Sequence, residues 1–127
     1  MPIGDDDGLR ALLGKVRTIA VVGISPKPDR PSHEVAAFLK ARGYRIIPVN
    51  PGHAGETILG ETVFASLSAI GERIDMVDIF RNSEAAGAVV DEAIAAGAGA
   101  VWMQLGVVNP EAAARAEAAG LKVVMDH

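Results

Sequence analysis

The sequence predicts an α/β fold: a Rossmann-like, doubly wound sheet of about five parallel strands, in one domain over residues 1–127. Three observations carry that reading. Short apolar runs of strand length alternate with longer stretches of helical spacing. Three helical stretches close on Ala-x-Gly and run almost directly into the next strand: Ala41-Arg-Gly43, Ala95-Ala-Gly97 and Ala118-Ala-Gly120. Such short joints belong to βαβ units, whose crossovers are right-handed. Finally, 127 residues, 50% of them hydrophobic, suit a single core. A chain of this length can bury roughly two-thirds of its unfolded surface.

The elements follow in order. Leu9, Leu12, Leu13 and Val16 mark a short amphipathic helix. Thr18 to Gly23 is an apolar run ending in glycine, a buried parallel strand. Ser32 to Arg42 carries Val35, Ala36, Phe38 and Leu39 at helical spacing, with Gly43 as the stop. Tyr44 to Asn50 is the second strand. Pro51 to Glu61, with three glycines, is too broken for a helix and reads as a loop with a small hairpin around Thr57 to Thr62. Ile74 to Phe80 is the third strand, and Ser83 to Ala96 a helix burying Val89, Val90, Ala93 and Ile94. Ala100 to Gln104 is the fourth strand. Asn109 caps a helix that Pro110 opens and Gly120 ends. Leu121 to Met125 is the fifth strand. The expected strand order is 3-2-1-4-5.

Composition excludes several functions. With no cysteine there is no disulfide scaffold, thiol nucleophile or cysteine metal site, which fits a cytoplasmic protein. Twelve basic against 16 acidic residues give a net charge of -4, a poor surface for nucleic acid or anionic membrane. Aromatic residues are only 4%, too few for base-stacking platforms. No run approaches the roughly 20 apolar residues of a membrane span, and the acidic start MPIGDDDGLR is no signal peptide. Three scattered histidines lack metal-ligand spacing.

Ligands of such sheets bind beyond the carboxyl ends of the strands, at the switch in strand order. The segment Gly23-Ile-Ser-Pro-Lys-Pro-Asp-Arg-Pro-Ser32 joins the first strand to its helix there. A helix start attracts phosphate through its free N–H groups, and Lys27 and Arg30 add full charges. The plainer alternative makes Gly23 a tight turn, Ser32 an ordinary N-cap and both cations solvated. Asn50 ends the second strand where a dinucleotide site would carry Asp or Glu, which disfavours NAD. It either donates to a ribose or base, or caps the turn before Pro51. Arg81 meets a phosphate or acidic acyl group, or pairs with Asp78. Gln104 follows Val101-Trp-Met103, where a polar side chain is unexpected in an apolar strand. Trp102 reads as core packing, and His33 as an exposed helix residue. No G-x-S-x-G, H-E-x-x-H or Walker lysine occurs, Ser25 has no identifiable base, and no catalytic residue is assigned.

Val21 to Ser32, Ile47-Pro-Val-Asn-Pro51, Val77-Asp-Ile-Phe-Arg81 and Val101-Trp-Met-Gln-Leu-Gly106 together resemble the small stand-alone CoA-binding proteins of bacteria. These are similar to the CoA-binding domains of the succinyl-CoA synthetase alpha subunit and of NDP-forming acyl-CoA synthetases. The resemblance runs from about Val16 to the end of the sequence. It implies coenzyme A or an acyl-CoA as ligand, with Gly23, Ser25, Lys27, Arg30 and Ser32 at its phosphates. It places Asn50 and Pro51 at the nucleotide edge, and Phe80, Arg81, Gln104 and Gly106 near the rest of the cofactor. The synthetases' phosphorylated histidine lies in a second domain not represented here, so ligase chemistry is not implied. The expected function is a non-catalytic carrier, sensor or partner module for CoA. The alternatives are an NAD(H)- or adenine-nucleotide-responsive regulator and a small acyl-CoA-dependent enzyme. A homodimer and a separate protein partner both stay open.

Overall fold

A computed structural model describes residues 2–127. Five parallel strands form the main sheet: β1 (Thr18–Val22), β2 (Arg45–Val49), β5 (Met76–Ile79), β6 (Ala100–Met103) and β7 (Lys122–Val124). Between β2 and β5 lies the expected hairpin, β3 (Thr57–Ile58) antiparallel to β4 (Glu61–Thr62). Four helices complete the fold: α1 (Asp6–Lys15), α2 (Pro31–Ala41), α3 (Ser83–Ala95) and α4 (Pro110–Ala118). The strands are a residue or two shorter at their ends than the apolar runs that announce them.

The order in the sheet is β2-β1-β5-β6-β7. Counting only these five in chain order, that is 2-1-3-4-5, not the expected 3-2-1-4-5. The third strand crosses over the first and pairs with it, in register Val21 with Asp78. Pro48 shows why. It sits in the middle of β2 and has no N–H for a second ladder, so β2 belongs at an edge. β5 is buried along its whole length and takes a central place. The result is the other common doubly wound order, whose switch point lies between β1 and β5.

Each face of the sheet buries its own cluster. α3 and α4 cover one, where Val89, Val90, Ala93, Ala112 and Ala116 meet Val22, Val77, Val101 and Val123. α1 and α2 cover the other, where Leu12, Val16 and Ala36 meet Ile19, Val21, Ile46 and Met76. The alternation of β1, with Val22 on one face and Val21 on the other, is the period-2 pattern of a strand. Gly43 ends α2 in the left-handed region at φ 97°, which lets the Tyr44 N–H reach back to the Leu39 carbonyl. The same joint recurs at Gly97 and Gly120, with Ala98 reaching Ala93 and Leu121 reaching Ala116. Asn109 caps α4 as read, accepting from the Ala112 N–H at 3.0 Å. No helix among the described residues is long and apolar enough to cross a membrane.

Candidate functional site

A cleft of about 430 Å³ opens at the carboxyl ends of the strands, beside the switch point. Gly23, Ser25, Lys27, Arg30, Ser32 and Phe80 line it, all of them singled out by sequence. Gly23 follows β1 with φ 89°. A Cβ there would sit 2.6 Å from the Phe80 carbonyl oxygen and 2.9 Å from Arg81 Cδ. Glycine is therefore required both by conformation and by the close approach of β5's end.

Local hydrogen bonds shape the loop from Gly23 to Ser32. The Ser25 N–H donates to the Ser32 hydroxyl at 2.9 Å, and the Lys27 N–H to the Ser25 hydroxyl at 3.1 Å. Ser32 is thus not the N-cap. α2 opens at Pro31 and its N-cap position is Arg30, whose side chain gives the helix no acceptor. Ser, Thr, Asn or Asp normally fills that position and satisfies a free N–H. Here the Ser32 N–H has no acceptor among the described residues, at the positive end of the helix. His33 is half-buried rather than exposed, and its Nδ1 lies 3.0 Å from the Ser25 carbonyl oxygen, placed to donate to it.

The charges around the cleft are one-sided. No Asp or Glu lines it. Among the described residues Lys27, Arg30 and Arg81 make no ion pair, as Arg10, Lys15, Arg17, Arg42 and Lys122 make none, while Lys40, Arg45, Arg73 and Arg115 each meet a carboxylate elsewhere. Arg81 does not pair with Asp78; its stem lies against Gly23 instead. The alternation of β5 explains this, because Asp78 points into the α1/α2 face and takes its hydrogen bond from the Gln104 amide.

Five expected site residues do not line the cleft: Asn50, Pro51, Arg81, Gln104 and Gly106. Gln104 is committed to Asp78 and lines a separate cavity. Gly106 sits in the turn after β6, where its N–H donates to the Asp126 carboxylate at 2.7 Å. Asn50 spends both ends of its amide on protein: Nδ2 donates to the Ile24 carbonyl at 2.9 Å and Oδ1 accepts from Gly52 N–H at 3.0 Å. It braces the second loop against the first, and Pro51 begins a single 3-10 turn just beyond it. That turn ends at His53, which lines the cleft and was not singled out by sequence. Its Nδ1 meets Glu56 at 3.0 Å. Asn50 ties this turn to Ile24 across distant segments, so the linear sequence carries no signal for it. No group of His, Asp and Glu suited to a metal ion occurs among the described residues.

Asp78 is the unusual titratable group. It is 2% exposed and its single hydrogen bond comes from Gln104. Burial pushes its carboxyl up to about 7, against a smaller opposing effect of that hydrogen bond. Asp75, at the other end of the same strand, is held below the usual carboxylate range by the Thr18 and Arg17 N–H groups.

A doubly wound sheet with a cationic cleft at its switch point puts this chain among the open α/β proteins whose ligands bind beyond the carboxyl ends of the strands. The family model described as CoA binding domain matches residues 17–127. An uncharacterized protein of Bacillus subtilis, YneT, is 40% identical over 93% of this chain and 86% of its own. A solved Thermus thermophilus structure is also 40% identical, with TM-score 0.91 over 98% of this chain and 92% of that one. At 21% identity and TM-score 0.74, the chain shares a fold with part of a dinucleotide forming acetyl-coenzyme A synthetase of Ca. Korarchaeum cryptofilum, over 86% of this chain and 26% of that one. The chain belongs to the CoA binding domain family.

Proposed function

We propose that this protein binds coenzyme A or an acyl-CoA at the carboxyl ends of its strands, as a non-catalytic carrier, sensor or partner module of the bacterial cytoplasm. One observation carries the reading: Lys27 and Arg30, both without carboxylate partners among the described residues, line a cleft that meets an uncapped helix start, and the stem of Arg81 lies against Gly23 at its margin. CoA presents a diphosphate and a 3′-phosphate, so it needs more positive charge than a dinucleotide does. Gly23, Ser25, Lys27, Arg30, Ser32 and Arg81 hold the phosphates in this reading. Phe80 and His53 flank them, and Asn50 with Pro51 forms the nucleotide edge. Gln104 and Gly106 lie outside the phosphate cleft, bonded to Asp78 and Asp126.

The carrier reading is favoured over an enzyme by one geometric detail. His33 faces the Ser25 carbonyl oxygen and not its hydroxyl, so the two do not form a nucleophile–base pair. Calorimetry with CoA and NAD tests the ligand. CoA should bind more tightly, because Asn50 offers no carboxylate to a ribose diol and is already engaged. Equal affinity, or a preference for NAD, overturns the CoA reading and favours the nucleotide-responsive regulator. Native mass spectrometry of freshly purified protein gives an independent readout through any retained ligand mass.

A further inference from the structure

A second cavity, of about 220 Å³, lies on the α1/α2 face of the sheet. Val35, Phe38 and Leu39 of α2 form one wall, and Met76, Asp78, Trp102 and Gln104 of β5 and β6 form the other. Leu13 of α1 also lines it, and His127 stands beside Trp102, the two rings edge to face at 6.5 Å. The walls are mostly apolar, yet a carboxyl group is buried among them. One Asp78 oxygen takes the Gln104 hydrogen bond; no second bond reaches the carboxyl from the described residues. The indole N–H of Trp102 is also buried without a partner. No lysine or arginine lines the space.

This cavity adjoins the cationic cleft along two elements. On α2, Pro31 and Ser32 line the cleft, while Val35, Phe38 and Leu39 line the cavity one and two turns on, along a single stripe. On β5 and its continuation, Phe80 lines the cleft and Asp78 the cavity; residues two apart in an extended strand share a face. A ligand anchored by its phosphates at Arg30 can therefore lay its far end past Phe80 into the cavity.

We infer that this cavity receives the acyl end of a short, uncharged acyl-CoA and rejects acyl groups ending in a carboxylate. The inference rests on the CoA reading above and names the class of acyl group for that site. The volume suits a few methylene groups, which gain by leaving water for apolar walls. A terminal carboxylate would be buried beside Asp78 with no lysine or arginine to meet it, which is costly.

Trp102 is the chain's single tryptophan, so its fluorescence reports on this cavity directly. The test titrates wild type with CoA, butyryl-CoA and succinyl-CoA, following heat for binding and Trp102 emission for occupancy. Butyryl-CoA should bind on the order of tenfold more tightly than CoA and change the emission. CoA should leave the emission nearly unchanged, and succinyl-CoA should bind no better than CoA. In Val35→Phe, which fills the cavity, the ratio of butyryl-CoA to CoA affinity should fall to about one. If CoA binds but butyryl-CoA binds no tighter and leaves Trp102 silent, the acyl pocket is refuted and the CoA reading stands. If succinyl-CoA gains as much as butyryl-CoA, the charge selectivity is refuted. If none of the three binds, the CoA reading itself falls and takes this inference with it.

Discussion

The two ends of the sheet treat charge in opposite ways. At the amino ends, several charges are paired, although Lys15, Arg17, Arg42 and Lys122 are not among the described residues paired with a carboxylate. Arg45 makes a paired contact with Glu72 at 2.6 and 2.7 Å, Lys40 meets Glu61 at 3.3 Å, and Arg73 meets Asp75 at 3.4 Å. At the carboxyl ends, Lys27, Arg30 and Arg81 have no carboxylate among the described residues, and Asp78 has no cation. Asp75 and Asp78, three residues apart, hold the contrast in miniature: one is stabilised as an anion by two backbone N–H groups, the other disfavoured as an anion by burial. Charge that is matched within the protein closes the fold. Charge left unmatched at one end is what a ligand can use.

The largest expected effect breaks this contrast at its buried end. An acid whose folded-state value is raised costs stability wherever it must ionise. As pH climbs from about 4 to about 7, the unfolded chain has lost the Asp78 proton while the folded protein keeps it, so stability falls; above about 7 the loss is complete and constant. Asp78→Asn removes that cost. The variant should match wild type near pH 4 and exceed it at pH 8 by as much as about 4 kcal/mol, read from urea denaturation. Asp75→Asn should do the reverse, losing stability at neutral pH and approaching wild type in acid. A wild type equally stable from pH 5 to pH 8, with Asp78→Asn no better, would contradict the burial cost.

Next in size is Gly23→Ala. The left-handed backbone and the 2.6 Å approach to the Phe80 carbonyl together should cost about 3 kcal/mol. Chemical denaturation measures the loss, and a change under about 0.5 kcal/mol would mean the turn relaxes freely.

Arg30→Ala sharpens the comparison from the ligand's side. It should weaken CoA binding about ten- to a hundredfold, with the melting temperature unchanged. Dephospho-CoA separates the phosphates: a loss confined to CoA assigns Arg30 to the 3′-phosphate, and an equal loss assigns it to the diphosphate. Added salt should shrink either loss. Undiminished binding of both ligands would remove Arg30 from the site. The smallest effect is expected at the matched end, where Glu72→Gln breaks an exposed pair. It should leave both CoA affinity and the denaturation midpoint where they are; a weaker affinity would show that the two ends are coupled.

How far the sequence reaches depends on whether the signal is local. The five strands are legible because each is an apolar run beside a glycine or polar stop. The cleft residues from Gly23 to Ser32 are legible because one loop holds them all. Strand order is not local: the choice between 3-2-1 and 2-1-3 depends on where the 26-residue connection between β2 and β5 lands. Pro48 carries the relevant clue, since its missing N–H marks an edge strand. Gln104 and Asp78 are likewise decided by register. Val77 faces one helical layer and Asp78 the other, and pairing with Trp102 sets which partner Asp78 meets. His53 reaches the cleft only because Asn50 ties its loop to Ile24.

Pro48 has a consequence beyond strand order. A sheet edge with free N–H and C=O groups is a template on which a second molecule can add a strand. β2 presents no amide hydrogen at Pro48, and the Pro48 carbonyl is already taken by the Phe64 N–H at 3.0 Å, while Asn50 donates to Phe64 at 2.9 Å. At the far edge β7 is three residues long, and its Val123 carbonyl accepts from Ile3 at 2.7 Å. Both margins are thus occupied by the chain's own irregular segments. Concentrated protein has little open backbone on which to grow into fibrils edge to edge, and shaving the residues before α1 would uncover one such margin.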